Sequence, residues 1–246
     1  MKTKYSIIVS CFLIGFSLFS CKDLDEMNIN PNGVDPNQAD VSLLLGTVII
    51  STGYSMVDLG GLGDISGVMQ QIQHDGWAGG MNAYDWTSND WGGFYGNLRN
   101  AKEMLLKADK VNNDFYRGAA KVFLAYNFGA IADLWGDAPF WRPDNDAPIS
   151  EGICADDGIL KPRYDEQKDI YLGVIKYLKE ANDLFSQPQS AYIINPTQDP
   201  LYGGNVAKWK KFANSLRLRY YLRISSKEPS IAEAYRQRGR EISPGP

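Results

Sequence analysis

The chain has 246 residues and carries 25 basic and 29 acidic side chains, a formal net charge of −4. This length is enough for one large domain or two small ones with a sizeable apolar core. The acidic balance argues against nucleic-acid binding, because contact with phosphates requires a basic surface.

The first 20 residues have the three parts of an export signal. Lys2 and Lys4 are followed by an apolar run over residues 7–19, then by the small Ser20. The run is shorter than the roughly 20 residues that a membrane-spanning helix needs, so the pattern predicts a cleaved signal. We expect no later segment to be apolar over such a length without a charge or an amide.

The residues at positions 18–21 (LFSC) resemble the bacterial lipobox, in which a cysteine thiol receives diacylglycerol before the preceding peptide bond is cut. The alternative is an ordinary signal with a cysteine at the junction by chance. We predict a signal peptide over residues 1–20, lipid attached to Cys21 and a solvated tether over residues 21–38. Cys11 leaves with the signal, so Cys154 has no partner and no disulfide is expected.

Six segments then show the helical period of apolar residues, separated by loops rich in Gly, Pro, Asn and Asp. They cover about residues 39–57, 63–75, 90–111, 115–134, 167–185 and 206–224. No segment alternates with the period of a strand. The pattern predicts an all-α domain of paired antiparallel helices joined by long irregular loops.

Three of these helices carry further signals. The fourth is apolar nearly all round and rich in Gly and Ala, which predicts a central helix closely approached by its neighbours. Asp165 is available as the N-cap of the fifth. Basic residues flank both sides of the apolar stripe of the sixth, which is typical of long side chains that cover the edges of a buried face.

Aromatic, amide and carboxylate side chains are interleaved over residues 74–97, a composition that suits sugars. An aromatic ring packs against the C–H face of a pyranose while polar groups bind its hydroxyls. Trp91, Phe94 and Tyr95 fall on the apolar stripe of the third helix, which predicts packing. The other aromatic residues, Trp77, Tyr84 and Trp86, lie in a Gly-rich loop off any helical period. For them the sequence allows either packing in the core or contact with a ligand. The predicted glycan contacts are Trp77, Asn82, Tyr84, Asp85 and Trp86.

Other chemistry is weakly signalled. Asp85 and Asp90 are formally a carboxylate pair, but nothing in the sequence singles them out for hydrolysis. His74 is the only histidine, and no nucleophile or phosphate-loop motif occurs, so no catalysis is expected. Calcium ligands are available in an acidic loop at Asp144, Asp146 and Glu151, but a solvated loop is expected, with no metal and no cofactor.

Four separated phrases keep one order along the chain: residues 28–32 (NINPN), 128–139 (FGAIADLWGDAP), 162–165 (PRYD) and 203–219 (GGNVAKWKKFANSLRLR). Together they resemble the SusD/RagB family of outer-membrane lipoproteins of Bacteroidetes. The resemblance implies tetratricopeptide-like helix pairs and a non-catalytic surface binder of glycans or other nutrients. It also implies a partner, a SusC-like TonB-dependent transporter of the outer membrane.

The acidic stretch 22–26 (KDLDE) resembles the signal that sends lipoproteins of this phylum to the outer face of that membrane. Family members are typically about twice as long, and residues 226–246 do not resemble them. The resemblance therefore implies an N-terminal half, with a helical domain over 39–225 and an atypical tail over 226–246. The alternatives are a truncated transporter lid, a structural lipoprotein or a peptide binder without affinity for glycans.

Overall fold

A computed structural model describes residues 39–61, 64–73, 80–84, 90–141, 151–155, 158–188 and 193–233. The predicted signal peptide, the predicted lipidation site Cys21 and the predicted tether over residues 21–38 all lie outside these residues. The chain divides into two compact units, Met1–Asp40 and Val41–Pro246. Every feature below belongs to the second unit.

Residues 229–233 are helical, and six further helices, long or short, have both ends within the described residues. They are α1 (Val41–Met56), α2 (Asp64–Val68), α3 (Gly92–Lys110), α4 (Asp114–Trp135), α5 (Gln167–Leu184) and α6 (Val206–Ile224). A π-helical turn follows α1 at Val57–Gly61, and 3-10 turns occupy Gly80–Ala83 and Pro196–Gln198. The described residues contain no strand, only two isolated bridges between loops. The predicted all-α class is confirmed.

The predicted end of the second helix is wrong. The helical pattern was expected to reach residue 75, but α2 ends at Val68. Gln70 adopts a φ of 56°, in the left-handed region, and its amide Nε2 donates to the carbonyl of Gly67 at 2.9 Å. This local hydrogen bond satisfies a carbonyl at the helix end and stops the helix.

The predicted N-cap of α5 is also wrong. Glu166 occupies the cap position without a side-chain capping bond, because Asp165 is used elsewhere. Its backbone pairs with Ala138, and its carboxylate accepts from the N–H of Phe140 at 3.0 Å. The first N–H of α5, on Gln167, instead donates to Asp137 at 2.9 Å. A cap supplied from a distant loop gives no local signal in the sequence.

Helix α4 is central, as predicted, because it contacts α1, α3, α5 and α6. Two of its glycines permit this packing. A Cβ on Gly118 would lie 2.6 Å from the ring of Phe185, and a Cβ on Gly129 would overlap the hydroxyl of Tyr220. Neither position can hold a larger residue without displacing its neighbour.

A chain of buried polar side chains joins α1, α3 and α4. The Asn97 amide donates to Ser55 at 3.0 Å and to Asn127 at 3.2 Å. The Asn127 amide donates to Thr52 at 3.0 Å and to the carbonyl of Phe123 at 2.9 Å. Asn127 is fully buried. Since a buried amide is costly without partners, this network fixes how the three helices align.

Helix α1 is more apolar than the sequence reading allowed. Residues 41–57 include no charged or amide side chain, so the expectation that no such segment follows the signal is wrong. Within the described residues, Val41–Leu59 is long and apolar enough to span a membrane by length and composition, with 33% of that window buried. Core helices pass the same test, and Leu45 and Val48 on the inner face are fully buried.

The loop before α6 is organised by one buried carboxylate. Asp199 is 4% exposed and accepts from the indole N–H of Trp209 at 2.7 Å. It also accepts from the backbone N–H groups of Leu201, Tyr202 and Gly204 at 3.0, 3.1 and 2.8 Å. These bonds seat the fully buried Trp209 at the start of α6.

Candidate functional site

The structure describes only part of the predicted glycan loop. Trp77, Asp85 and Trp86 lie outside the described residues. Asn82 is partly buried in the 3-10 turn Gly80–Ala83, which packs against α2. Tyr84 follows that turn with 68% of its side chain exposed and a φ of 61°. Its ring is therefore accessible to a ligand, while the joint action of the five predicted residues stays a prediction.

A second group of aromatic residues lies where α3 begins and α4 ends. We call Trp91, Tyr95, Trp135 and Tyr164 the aromatic patch. The ring of Trp91 lies 5.6 Å from Tyr95, 6.0 Å from Trp135 and 5.9 Å from Tyr164, measured between ring centroids. Trp91 thus joins residues from three separate parts of the chain.

Local backbone contacts place each ring of the patch. Trp91 precedes α3, and the neighbouring Asp90 carboxylate accepts from the N–H of Gly92 at 2.7 Å. Trp135 is the last residue of α4, which ends at Gly136 with a φ of 79°. Tyr164 directly precedes the bridge between Asp165 and Ala138. The site is therefore built from two helix ends and one loop–loop bridge.

The patch has a buried base and an exposed rim. Phe94 lies beneath it at 4% exposure, 5.8 Å from Trp135 between ring centroids. Trp91, Tyr95 and Trp135 are half-buried, and Tyr164 is 62% exposed. The predicted core position of Phe94 is confirmed, whereas Trp91 and Tyr95 keep part of their surface open. Such a surface offers an aromatic face to a sugar ring.

The hydroxyl of Tyr95 is fixed inside the patch. It donates to the carbonyl of Pro139 at 2.5 Å. Burial raises the pKa of Tyr95, and the nearby Tyr164 and Asp165 raise it further. Tyr95 therefore stays neutral and anchors the patch to the loop after α4.

Sequence reasoning missed Trp135 and Tyr164 as site residues. Both lie inside phrases that were used only to recognise a family. They are 29 residues apart in the chain, and the rings of both lie against Trp91. The sequence offers one signal, since Tyr164 lies between Arg163 and Asp165 in an irregular loop. This position indicates an exposed side chain, but it does not indicate which residues surround it.

A polar cluster joins α4, α5 and α6 away from any predicted site residue. The Asp133 carboxylate accepts from the Tyr171 hydroxyl at 2.6 Å and pairs with Arg223 at 2.7 Å and Arg219 at 3.8 Å. Burial and the hydrogen bond to Asp133 raise the pKa of Tyr171. A cavity of about 560 Å³ borders the cluster. Arg219 and Arg223, two basic residues flanking the stripe of α6, thus pair with a carboxylate on α4.

The residues that the sequence offered for calcium binding or thiol chemistry are Asp144, Asp146, Glu151 and Cys154. Glu151 accepts from the backbone N–H of Arg163 at 3.1 Å and lies 3.6 Å from its guanidinium. Asp144 and Asp146 lie outside the described residues. No group of three His, Cys, Asp or Glu residues that could hold a metal occurs in the described part of the chain. Cys154 is buried and forms no disulfide.

The sequence matches one family model over most of its length. The SusD-like model, described as starch-binding and associating with the outer membrane, matches residues 35–239. The chain belongs to the SusD-like family. None of the curated proteins compared matches the chain.

Solved structures agree with this membership. A SusD homologue from Bacteroides fragilis is 27% identical with a TM-score of 0.56, over 75% of this chain and 35% of its own. A Bacteroides vulgatus outer-membrane protein with a suggested role in nutrient binding is 27% identical with a TM-score of 0.57. The match covers 77% of this chain and 37% of that protein.

A second SusD homologue from Bacteroides fragilis is 22% identical with a TM-score of 0.62, over 82% of this chain and 40% of its own, and shows the fold alone. The SusD-like fold with tetratricopeptide-like helix pairs is thus confirmed. The chain spans between 35% and 40% of the length of these three relatives.

Proposed function

We propose that the protein is a nutrient-binding lipoprotein of the outer membrane that captures glycans for a SusC-like TonB-dependent transporter. Membership of the SusD-like family supports nutrient capture and the membrane location. The lipobox-like residues 18–21 support attachment through lipid on Cys21. The acidic stretch after Cys21 supports display on the cell exterior.

The observation that carries glycan binding is the aromatic patch. Trp91 and Tyr164 are adjacent rings from different parts of the chain, and both keep exposed surface. Rings held in place by packing lose little entropy when a ligand binds, and their faces suit the C–H groups of a pyranose. Arg163 lies next to Tyr164 in sequence, and its side chain is 65% exposed, so it offers a polar group for sugar hydroxyls.

The role we propose is binding without catalysis. Hydrolysis of a glycosidic bond needs two carboxyl groups free to exchange protons and face the sugar. The carboxylates nearest the patch in sequence serve the backbone instead: Asp165 accepts from Phe140, Asp137 from Gln167 and Asp90 from Gly92. Their hydrogen bonds support a positioning role for all three.

Calorimetric titration of the full chain, in a detergent without sugar groups, tests the patch against a panel of oligosaccharides. Tyr164→Ala should weaken the affinity for the bound glycan about tenfold, roughly 1.4 kcal/mol. Tyr164→Phe is the matched control, because it keeps the ring and removes only the hydroxyl. Equal affinity of all three proteins would exclude stacking on Tyr164.

The predicted loop is tested separately. If Trp77 and Trp86 also contact the glycan, the double variant Trp77→Ala with Trp86→Ala should lose affinity in the same titration, whereas an unchanged affinity would restrict the site to the patch.

The transporter partnership is tested by affinity purification of the tagged full chain from solubilised membranes. A large outer-membrane barrel protein should copurify. Copurification of the barrel without affinity for any glycan would favour the alternative, a transporter lid or structural lipoprotein. Release of sugar reducing ends during incubation would contradict the binding role.

A further inference from the structure

Tyr164 is the most exposed ring of the aromatic patch, yet it is placed against Trp91. Its side chain is 62% exposed, and its ring centroid lies 5.9 Å from that of Trp91. So much exposure leaves little packing to hold the ring, and a side chain that is free to move loses entropy when a ligand orders it. The position of this ring therefore depends on how its backbone is held.

The backbone after Tyr164 is tied to the loop that follows α4. Asp165 and Ala138 exchange two backbone hydrogen bonds, with N–O distances of 3.1 and 3.2 Å. The Asp165 carboxylate also accepts from the N–H of Phe140 at 3.0 Å, and the side chain of Phe140 is fully buried. The chain is thus fixed to the core on this side of Tyr164.

The backbone before Tyr164 is held by the carboxylate of Glu151. Its Oε2 accepts from the backbone N–H of Arg163 at 3.1 Å, and its Oε1 lies 3.6 Å from the Nε of the same residue. The Arg163 side chain is 65% exposed, so the ion pair itself adds little to stability. The hydrogen bond to the backbone is what sets the course of the chain into Tyr164.

Glu151 is itself anchored, so its side chain presents a fixed acceptor. Its backbone forms a bridge with Trp141, whose carbonyl accepts from the hydroxyl of Tyr177 on α5. Two residues further along, the carbonyl of Ile153 accepts from the buried ammonium group of Lys102 on α3 at 2.7 Å. Helices α3 and α5 therefore hold the segment that carries this carboxylate.

We propose that Glu151 is a positioning residue for the glycan site: by holding the chain at Arg163, it keeps the ring of Tyr164 in the aromatic patch. The inference rests on the proposed function, and it assigns no contact between Glu151 and the glycan. A ring that is held in place before the glycan arrives loses less entropy on binding, which raises the affinity. The same carboxylate also orients the guanidinium of Arg163.

Calorimetric titration of the full chain with the oligosaccharide panel measures the effect on affinity. Glu151→Ala should weaken binding about threefold, less than Tyr164→Ala, because the ring is loosened but not removed. Glu151→Gln should bind nearly as well as the unsubstituted chain, because its amide oxygen still accepts from the N–H of Arg163. Glu180→Ala is the matched control, since Glu180 on α5 pairs with Lys121 on α4 and is not part of the patch. It should leave the affinity unchanged.

A double variant separates positioning from a general loss of stability. In the Tyr164→Ala background the ring that Glu151 positions is gone. Adding Glu151→Ala should therefore weaken binding by less than about twofold further. Two fully additive losses would contradict the proposal, because they would show that Glu151 acts on something other than Tyr164.

Fluorine NMR of the full chain labelled with 3-fluorotyrosine follows the ring in the absence of any glycan. The Tyr164 signal is the one that Tyr164→Phe lacks, and the adjacent indole of Trp91 should shift it away from the signal of free fluorotyrosine. Glu151→Ala should move the signal toward the free value. Glu151→Gln and Glu180→Ala should leave it in place.

Two further results would overturn the positioning role. One is an unchanged fluorine signal in Glu151→Ala, and the other is a loss of affinity in Glu151→Gln equal to that in Glu151→Ala. If no oligosaccharide binds to the unsubstituted chain, the proposed function fails by itself. A fluorine signal that moves in Glu151→Ala would in that case still support the placement of the Tyr164 ring by Glu151.

Discussion

Asp199 accepts three backbone N–H groups and the indole N–H of Trp209 in a loop without regular structure. The indole N–H is buried, and an unsatisfied N–H in the core costs about 1–3 kcal/mol. One side chain therefore replaces the hydrogen bonds that a helix or strand would provide. It also holds in place Trp209, whose ring lies 6.0 Å from Phe115 and 5.6 Å from Tyr202 between ring centroids.

The substitution Asp199→Asn removes acceptors without changing the shape of the side chain. The amide group of Asn keeps one oxygen, so its NH₂ group must face some of the same donors. We expect the free energy of unfolding to fall by roughly 2–4 kcal/mol, measured by urea denaturation. Asp183→Asn is the control, because Asp183 is exposed in an ion pair with Lys179, and should cost less than about 0.5 kcal/mol. Equal losses would contradict the role of Asp199.

Single residues were predictable where one helix face decides their environment. Phe94 lies on the stripe of α3, and its burial follows from the helical period alone. Tyr164 could not be assigned to the aromatic patch, because its neighbours come from the ends of two other elements. Asp165 was a sound N-cap candidate locally, but the bridge to Ala138 places its carboxylate on another loop.

At the scale of elements, α4 holds the fold together through its small residues. The ring of Tyr220 on α6 occupies the space that a side chain at Gly129 would need. The same closeness brings α5 and its following residue Phe185 against Gly118. The packing of α5 and α6 against α4 therefore depends on these two glycines, and a larger residue at either position would push a neighbouring ring away.

The variant Gly129→Ala tests this close approach. Its methyl group must displace Tyr220, so we expect a loss of about 1–3 kcal/mol in the free energy of unfolding. Gly96→Ala in α3 is the matched control, because a Cβ there meets nothing within 4 Å. A gain of about 0.5–1 kcal/mol is expected for it, since Ala favours a helix over Gly. Equal effects in thermal and urea unfolding would exclude tight packing at Gly129.

Long helices were predictable because each buries one face and exposes another. The helical period placed α3, α4, α5 and α6 within about two residues of their observed ends. It failed for α2, where one residue with a positive φ overrides the pattern. It also hid the length of the apolar stretch in α1, because Ser, Thr and Gly interrupt it without adding charge.

At the scale of the whole molecule, three tyrosines should make the free energy of unfolding fall at alkaline pH. Burial raises the pKa of Tyr95, Tyr171 and Tyr220 above the ordinary value. Their contribution is complete below about pH 10, where tyrosine in the unfolded chain is neutral. Above it the unfolded chain loses protons that the folded protein retains, so stability falls as the pH rises through the raised values.

Urea denaturation from about pH 8 to about pH 11 measures this effect. The midpoint should fall above about pH 10, and the fall should be smaller in Tyr220→Phe, which cannot lose that proton. Lysines titrate in the same range, so the comparison between the two proteins, rather than the fall itself, is decisive. Identical pH profiles would show that Tyr220 makes no such contribution.

The fold of the whole chain could be predicted because its family phrases are spread along most of the sequence. They lie in α4, in the loops that flank α5 and at the start of α6, so they also locate the elements that pack together. The ligand surface was less predictable. It combines side chains from helix ends, whose contacts depend on the assembled fold.

The pair of buried amides between α3 and α4 constrains how this sequence can diverge. Asn97 and Asn127 satisfy one another, and each also reaches α1 through Ser55 or Thr52. Replacing one leaves the other without its partner, whereas replacing both with apolar residues of similar shape removes the cost. The two positions are therefore expected to change together over evolution. Proteins that share this helical fold should show covariation between them.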